Sequence, residues 1–242
     1  MIKVLGISGS PRVGNSKYLL EEALKSAKSV GEEVETEYIS IRGKKLGGCV
    51  MCQACEEDGE CIIKDDFQEM SQKWIEADVV IYSVPVYHMG MPAQLKAFLD
   101  RLGNSFFGKY SGNFTEGKAT LPKSLKVIGS IAQGAHVFSG QEHTLTDLIN
   151  HALIMGCIPV TGDMWEAYIG AGGWTYNEVG RNSIEEQVKE GRTDALVALR
   201  ASKSVAKRAV ELSILLKNKD NQNLGFVKDN PVYQPYVDRF NK

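Results

Sequence analysis

The sequence predicts an α/β protein built on a doubly wound parallel sheet of five strands. Short apolar runs alternate with segments of helical periodicity over about the first 160 residues, which is the pattern of repeated βαβ units. The chain has 242 residues, of which 43% are hydrophobic and 24% charged. These values are ordinary for a globular protein and are sufficient for one large domain with a sizeable core.

The chain opens with a strand, a helix and a second strand. Ile2–Ser8 is a mostly apolar run that is typical of a buried strand. Ser16–Val30 carries leucines and alanines that are spaced for one face of a helix. Val34–Ile39 alternates between apolar and polar residues, as an edge strand does.

A second helix and a third strand follow a loop that contains cysteines. Asp65 and Gln68 form a capping-box signature, and the apolar residues after them recur at helical spacing. Asp78–Val84 is a buried third strand. Pro92 then opens a helix, since proline costs little in the first helical turn, where its missing N–H would have no partner.

The remaining elements are predicted around a long loop. Gly103–Ser124 is rich in Gly, Ser, Thr and Asn and carries four aromatic residues, which predicts a loop with anchors. Leu125–Ile131 is the fourth strand, Gln141–Met155 a helix and Cys157–Val160 the fifth strand. A final helix covers Thr193–Leu216. Residues 170–180, between the fifth strand and this helix, form a segment that is longer than the core fold requires.

We predict one domain over residues 1–217, with an inserted loop over 47–63, followed by a C-terminal extension over 218–242. The extension is polar and broken by prolines, yet it carries spaced aromatic residues. These are Phe226, Tyr233, Tyr236 and Phe240. Because exposed aromatic rings are costly in water, we expect them to dock on a neighbouring surface, in a homodimer or homotetramer with the cysteine loop near a subunit interface. The alternative is that the extension wraps its own domain.

Charge and hydropathy exclude several kinds of partner. Lys plus Arg number 28 and Asp plus Glu 30, so the net charge of -2 gives no global attraction to nucleic acid or to an anionic membrane. No stretch approaches the roughly 18 apolar residues of a membrane-spanning helix, and the first residues lack the pattern of a secretory signal. We therefore expect a cytoplasmic protein without nucleic-acid or membrane partners, and attribute the glycosylation match at residues 113–115 to chance.

Four cysteines lie within thirteen residues in the spacing C-x2-C-x2-C-x5-C. They are Cys49, Cys52, Cys55 and Cys61. Three thiolates at intervals of three residues can curl around one centre, and the fourth follows a turn, which favours a cuboidal iron–sulfur cluster. Three alternatives stay open. Structural zinc usually has two separated knuckles, disulfides need an oxidising compartment, and four unliganded thiols are also compatible with the sequence.

The loop after the first strand is suited to a phosphate monoester. It reads GISGSPRVGNS and offers Ser8, Ser10, Arg12, Asn15 and Ser16 at the start of a helix. Backbone N–H groups, the helix dipole and these short donors can converge on phosphate oxygens. The loop lacks both the Walker A ending and the G-x-G-x-x-G spacing, which disfavours ATP and a dinucleotide. An ordinary tight turn is the alternative.

Two further loops follow the third and fourth strands, where ligands bind in open α/β sheets. The loop PVYHMG, residues 85–90, is stiff, and its backbone can approach a flat ring system on which Tyr87, His88 and Met89 can pack. His88 is alternatively a packing residue. The loop after the fourth strand offers Gln133 and Gly134 among small polar residues.

These motifs together resemble a known superfamily. GISGSPRVGNS, the cysteine run followed by IKDDF, and SVPVYHMGMPAQLKAFLDRLG are similar to the flavodoxin-like NAD(P)H-dependent FMN reductases. Within that superfamily they most resemble the iron-sulfur flavoproteins, over roughly residues 1–160. The resemblance implies a flavodoxin-type fold, FMN bound at the strand ends and a [4Fe-4S] cluster on the four cysteines.

The resemblance also implies a set of FMN-binding residues. The phosphate would be held by Ser8, Ser10, Arg12, Asn15 and Ser16. The isoalloxazine would be held by Pro85, Val86, Tyr87, His88, Met89 and Gly90, with Ala132, Gln133 and Gly134 on the ring side.

We expect an FMN-dependent oxidoreductase that transfers electrons. A cuboidal cluster passes one electron at a time, whereas a flavin holds one or two, so the pair can connect a ferredoxin-like donor to a two-electron acceptor. One alternative is an NAD(P)H-dependent FMN or quinone reductase without a cluster. Another is a non-enzymatic electron carrier or flavin sensor whose cysteine loop binds zinc or a partner. No acid–base residue is assigned a catalytic role.

Overall fold

A parallel sheet forms the centre of the structure, a computed structural model that describes residues 1–112 and 119–240. Its strands within those residues are β1 Ile2–Ser8, β2 Val34–Ser40, β3 Val79–Pro85, β4 Val127–Gly134, β5 Ile158–Pro159 and β6 Ala171–Trp174. The order is β2-β1-β3-β4-β5, and all pairings are parallel. This is the flavodoxin-like order of doubly wound sheets, so the predicted fold class is confirmed.

Helices cover both faces of the sheet. They are α1 Asn15–Lys28, α2 Phe67–Glu76, α3 Ala93–Tyr110, α4 Gln141–Ile154, α5 Ser183–Lys189 and α6 Thr193–Leu216, and two short helices, α7 Gly225–Lys228 and α8 Gln234–Val237, lie in the C-terminal extension. One apolar cluster packs α2, α3 and α4 against the sheet around Trp74, Phe98 and Leu148. A second cluster packs α1 and α6 on the opposite face around Leu20 and Val205.

The predicted strands are all present, with ends within three residues of the predicted ones. The start of α2 carries the predicted capping interactions: Gln68 Oε1 accepts from the Asp65 N–H at 3.1 Å, and Asp65 Oδ1 accepts from the Phe67 N–H at 3.0 Å. Among the described residues, no helix has the length and apolar character needed to cross a membrane.

The prediction of a loop from Gly103 onwards is wrong for its first eight residues. Helix α3 continues to Tyr110, because the buried face that includes Leu95 and Leu102 extends to Phe106. The glycine-rich composition concealed this periodicity. Residues 113–118, which include the predicted anchor Phe114 and the glycosylation match, lie outside the described residues.

Four of the elements named above for the described residues have no counterpart in the predictions: β6, α5 and the short helices α7 and α8 of the C-terminal extension. Strand β6 pairs with the carboxyl half of β4, beyond the short β5, which pairs with the amino half. The glycine directly before β6 permits close packing: Gly170 has a φ of +120°, and a Cβ there would lie 2.6 Å from the Ser130 carbonyl oxygen. Tertiary contact rather than local propensity therefore produces this strand.

The C-terminal extension packs partly against its own domain. Tyr236 is buried, and Arg239 forms an ion pair of 3.5 Å with buried Asp78 and donates at 2.6 Å to the Ser124 carbonyl. Phe226, in contrast, remains exposed. The alternative expectation therefore holds for Tyr236, while the domain division at residue 217 and the oligomeric state stay predictions.

Candidate functional site

Three predicted loops meet at the carboxyl edge of the sheet. Strands β1, β3 and β4 are neighbours, and the register pairs Ser8 with Ser83 and Pro85 with Gln133. The loops after these strands therefore begin side by side. The structure thus brings together the parts of the chain that the sequence assigns to a phosphate and to a flat ring.

Two serine hydroxyls in the phosphate loop are buried without a partner. Ser8 is 1% exposed and Ser16 is 2% exposed, and neither Oγ atom has a hydrogen-bond partner within the described part of the chain. A buried polar group without a partner costs about 1–3 kcal/mol. Ser16 also lies in the first turn of α1, where backbone N–H groups favour an anion. These hydroxyls have the chemistry needed to bind phosphate oxygens.

The other phosphate-loop residues make contacts within the protein. Ser10 Oγ donates to the Arg12 carbonyl at 2.8 Å and accepts from the Arg12 N–H at 3.3 Å, which closes a tight turn. Asn15 Nδ2 donates to the Gly180 carbonyl at 3.3 Å, and Asn15 Oδ1 accepts from the Ile184 N–H at 3.0 Å. Asn15 therefore ties the loop to a distant segment, and its role toward a ligand stays a prediction.

That distant segment, residues 179–184, is a neighbour of the site that sequence reasoning missed. Arg12 Nη2 donates to the Val179 carbonyl at 3.4 Å. A Cβ at Gly14 would lie 2.7 Å from the Arg181 carbonyl oxygen, so only glycine permits this approach. No local sequence motif indicates this contact, because about 165 residues of chain separate the two segments.

The loop after β3 is a tight turn with two strained residues. Tyr87 and Gly90 exchange backbone hydrogen bonds of 2.8 and 3.1 Å. Between them, His88 and Met89 have φ values of +46° and +72°, as a type I′ turn requires. Residues other than glycine adopt this conformation at a cost, and such strain concentrates at ligand sites. The turn holds Tyr87 and Met89 in exposed positions at the sheet edge.

The end of β4 is hydrogen-bonded to the residue that leads into this turn. The Gln133 carbonyl accepts from the Val86 N–H at 2.7 Å, and Gln133 Nε2 donates to the Gly134 carbonyl at 2.9 Å. Ala132 is fully buried within the strand. Gln133 and Gly134 reach the edge, so of the three predicted residues on this strand these two lie nearest the turn.

A stacked aromatic pair beside β4 was also missed by sequence reasoning. Trp174 pairs with Gly134 at the end of β6, and its ring stacks on Tyr176 with centroids 4.0 Å apart. The Arg192 guanidinium lies 4.1 Å from the centroid of the Tyr176 ring. Their aromatic character is visible in the sequence, but their position depends on β6, which is formed by tertiary contact.

The four cysteines line a single cavity of about 230 Å³, together with Arg101 and Asn104. All four are free thiols, and Asn104 Nδ2 donates to Cys49 Sγ at 3.3 Å. Burial raises the pKa of the Cys55 thiol, and the nearby thiols of Cys61, Cys49 and Cys52 raise it further. The thiols are thus close enough to interact, although the described residues contain no group of three or more His, Cys, Asp or Glu in metal-binding geometry.

The donor set of this cavity fits an iron–sulfur cluster. Four thiols suit such a cluster, and the buried Nε of Arg101, at the same cavity, has no hydrogen-bond partner within the described part of the chain. Four thiols would also suit zinc, because zinc is bound by soft thiolates as well.

The cysteine loop is seated on the C-terminal half of α3 by glycine. A Cβ at Gly108 would lie 1.8 Å from the Cys55 carbonyl oxygen. Gly59 has a φ of +80°, and a Cβ there would lie 2.7 Å from Lys109 Cβ. The loop backbone and the helix backbone therefore meet at a distance that excludes any side chain.

Helix α3 separates the two candidate sites. It begins at Ala93, directly after the turn at residues 87–90, and it contacts the cysteine loop at Asn104 and Gly108. At 1.5 Å per residue, these contacts lie roughly 16 to 23 Å along the helix from Ala93. The turn at residues 87–90 thus lies before the start of α3, and the cysteine cavity lies along the helix from Arg101 onwards, while Met91 and Cys49 line one further cavity.

Comparisons with known proteins agree on one family. The model of the NADPH-dependent FMN reductase family matches residues 2–166. An iron-sulfur flavoprotein of Methanocaldococcus jannaschii is 39% identical over 173 residues, which cover 71% of this chain and 82% of that protein. One from Archaeoglobus fulgidus is 34% identical over 194 residues, covering 77% of this chain and 93% of that protein.

Solved structures show the same fold. RosB with a bound 8-demethyl-8-formylriboflavin-5'-phosphate intermediate is 15% identical with a TM-score of 0.68, covering all of this chain and 88% of RosB. An azoreductase from Bacillus anthracis is 15% identical with a TM-score of 0.59, covering 86% of this chain and 99% of the azoreductase.

Proposed function

Since the chain belongs to the NADPH-dependent FMN reductase family, and within it to the iron-sulfur flavoproteins, it is an FMN-dependent oxidoreductase, and we propose that it passes electrons between a [4Fe-4S] cluster and FMN. The observation that carries this proposal is the position of Cys49, Cys52, Cys55 and Cys61 around one cavity. The cluster would be held by these four thiolates, with a ferredoxin-like protein as electron donor and a two-electron acceptor as substrate.

We propose that FMN binds at the carboxyl edge of the sheet. We propose that Ser8, Ser10, Arg12, Asn15 and Ser16 hold the phosphate. The unpartnered hydroxyls of Ser8 and Ser16 support this assignment, because a phosphate would satisfy both. We propose that the isoalloxazine lies on residues 85–90, with Ala132, Gln133 and Gly134 beside it. The strained turn then sets the approach of backbone groups to the ring.

FMN, when bound, supplies a centre that accepts one or two electrons. The protein residues supply orientation and access. Gly140 seats the turn, since a Cβ there would lie 2.5 Å from the Met89 carbonyl oxygen. The segment 179–184 is held against the phosphate loop through the hydrogen bonds of Asn15.

The separation along α3 supports electron transfer between subunits. Electron transfer slows steeply with distance, and Ala93 lies roughly 12 to 23 Å along the helix from the residues, Arg101 to Gly108, that line the cysteine cavity. We propose that the cysteine loop of one subunit faces the flavin turn of another in a homodimer or homotetramer. Exposed apolar side chains at both places support such a contact: Met51 is 65% exposed and Phe138, after β4, is 89% exposed.

The second candidate function is an NAD(P)H-dependent FMN or quinone reductase without a cluster. The observation that favours it is the match of residues 2–166 to the model of the NADPH-dependent FMN reductase family. In this case hydride would reach FMN directly, and the cysteine loop would have another role.

Cofactor analysis under anaerobic conditions tests the proposal. We expect FMN together with four iron and four sulfide per subunit, and a broad absorbance near the flavin bands. Reduced ferredoxin should reduce the flavin faster than NADPH does, and Cys52→Ala should abolish that route while FMN stays bound. Stoichiometric zinc, or FMN without iron after reconstitution, would contradict the proposal of a [4Fe-4S] cluster. Rapid reduction by NADPH that is indifferent to Cys52→Ala would favour the second candidate.

A further inference from the structure

A buried arginine joins the two ends of the cysteine loop. Arg101, on α3, is 2% exposed. Its Nη1 donates to the Gly47 carbonyl at 3.2 Å, and its Nη2 donates to the Ile63 carbonyl at 2.6 Å. Gly47 lies two residues before Cys49, and Ile63 lies two residues after Cys61. One guanidinium therefore fixes the distance between the points where the loop starts and ends.

A carboxylate completes this arrangement. Arg101 Nη1 donates to Asp65 Oδ1 and Oδ2 at 2.8 and 2.7 Å. Asp65 also accepts from the Gly47 N–H at 2.8 Å and from the Phe67 N–H at 3.0 Å. The Phe67 ring lies 4.3 Å from the guanidinium carbon. Arg101 thus binds the Gly47 carbonyl while Asp65 binds the Gly47 N–H. A change of rotamer in either side chain would break several of these contacts.

One nitrogen of Arg101 has no hydrogen-bond partner among the described residues. This nitrogen, Nε, is buried. Arg101 and Cys61 line the same cavity. A buried N–H without an acceptor is unfavourable, and a thiolate at Cys61 would provide an acceptor.

We propose that Arg101 is a positioning residue for the cluster: it holds the ends of the cysteine loop together, and its Nε–H donates to the sulfur of Cys61 when that sulfur is a metal ligand. This inference rests on the proposed function. A hydrogen bond and a positive charge at a ligand sulfur stabilise the more negative, reduced state of a cluster. Arg101 therefore raises the reduction potential of the cluster and slows the loss of iron.

The test measures the cluster itself. Anaerobically prepared wild type, Arg101→Gln, Arg101→Lys and Asp65→Asn are compared by the midpoint potential, from an EPR-monitored redox titration, and by the rate of iron release to a chelator. Arg101→Gln should lower the potential and release iron about 10 to 100 times faster, the usual effect of losing a partner of a metal ligand. Arg101→Lys keeps the charge but loses the fork, so it should lower the potential less.

Asp65→Asn separates an electrostatic role from a structural one. It loosens the loop, so iron release should be faster, but it removes a negative charge beside Arg101, so the potential should rise. A purely structural role would not move the potential in opposite directions in the two variants. Lys96→Gln is the matched control, because Lys96 is exposed on the same helix and forms an ion pair with Asp100. It should leave both quantities unchanged.

The outcomes distinguish this inference from the function on which it rests. A wild-type protein that retains no iron would overturn both. A wild type with a loaded cluster, combined with potentials in Arg101→Lys and Arg101→Gln equal to the wild-type value, would overturn the role of Arg101 alone. Thermal unfolding of the apo-proteins shows which variants are folded. If Arg101→Gln does not fold, the reduction potential of Arg101→Lys is compared with that of the wild type instead.

Discussion

Single polar atoms without partners are the sharpest indications of ligand binding in this structure. The Ser16 hydroxyl is buried and unpartnered, which makes it a cost in the apo-protein and a donor for a bound phosphate. Ser16→Ala should therefore leave the stability of the apo-protein unchanged or slightly higher. It should weaken FMN binding by about 1.5–3 kcal/mol, the value of a hydrogen bond to a charged group. Titration of the apo-protein with FMN and its thermal unfolding measure the two effects.

Ser202→Ala is the matched control for this prediction. Ser202 is also buried, but its hydroxyl donates to the Ala198 carbonyl at 2.8 Å within α6. This variant should bind FMN with wild-type affinity. If Ser16→Ala bound FMN as tightly as Ser202→Ala, backbone groups rather than this hydroxyl would hold the phosphate.

A single carboxyl group, that of Asp65, is expected to make the free energy of unfolding depend on pH. Burial raises its pKa, but hydrogen bonds from Arg101, Gly47 and Phe67 outweigh burial, so the pKa lies below the ordinary 3.8. A carboxyl with a depressed pKa stabilises the folded state above its unfolded pKa, and this contribution is lost as the pH falls through the folded value. The free energy of unfolding of wild type minus that of Asp65→Asn should thus shrink below about pH 4.

Denaturant unfolding of apo wild type and Asp65→Asn between pH 2.5 and 7 measures that difference. A difference that stays constant across this range would mean that the Asp65 carboxylate is not preferentially stabilised in the folded state. In that event the contacts to Arg101 and Gly47 would contribute little to folding.

Among the elements, helix α3 both packs on the sheet and contacts the cysteine loop. Its buried face packs on the sheet, and its far half seats the cysteine loop through Gly108. Gly108→Ala would place a Cβ 1.8 Å from the Cys55 carbonyl oxygen, so we expect the loop to be displaced and iron to be lost. FMN should still bind, because the turn at residues 87–90 lies at the other end of the helix. Iron content and FMN content of the same preparation test this.

Gly103→Ala is a close control on the same helix. A Cβ there would have its nearest neighbour at 3.9 Å, an ordinary contact. Since alanine is favoured over glycine in a helix by roughly 0.5–1 kcal/mol, this variant should be slightly more stable and keep its iron. Full iron retention in Gly108→Ala would mean that the loop adjusts without loss of its geometry.

At the scale of the whole molecule, the proposed passage of electrons between subunits can be tested by complementation. Chains with Cys52→Ala should bind FMN but no cluster. Chains with Ser16→Glu should retain the cluster but not FMN, because the added carboxylate repels phosphate. If electrons cross between subunits, mixed oligomers of the two should regain flavin reduction by reduced ferredoxin, whereas neither chain alone should show it.

The mass of the protein in solution is the control for that experiment. A monomeric wild type, or mixed oligomers in which the flavin remains oxidised, would contradict transfer between subunits. Iron retention in the Ser16→Glu chain shows that this chain is folded.

The C-terminal extension contributes to the stability of its own domain. Arg239 and Lys217 both contact the buried Asp78 carboxylate, Lys217 at 2.8 Å. Removal of one partner of a buried ion pair typically costs about 3–5 kcal/mol. We expect Arg239→Ala to lower the free energy of unfolding by an amount near the lower end of that range, since Lys217 remains. An unchanged denaturation midpoint would show that Lys217 alone satisfies Asp78.

The fold could be predicted from the sequence because its signals are local. The apolar run Ile2–Ser8, the capping residues Asp65 and Gln68 and the proline before α3 each act within a few residues. The cysteine motif and the phosphate loop are also contiguous in the chain. Hydrophobic periodicity, caps and motif spacing therefore determined the fold class and the regions that form the two candidate sites.

Tertiary structure alone decided the features that depend on close approach between distant segments. Strand β6 lies beside β4 because Gly170, directly before it, allows close approach to Ser130. The segment 179–184 reaches Asn15 across the fold, and Arg101 meets Gly47 and Ile63 only after the loop has packed on α3. The physical reason is that a buried polar group takes whichever partner the packed chain brings within about 3 Å, and sequence separation does not constrain that choice.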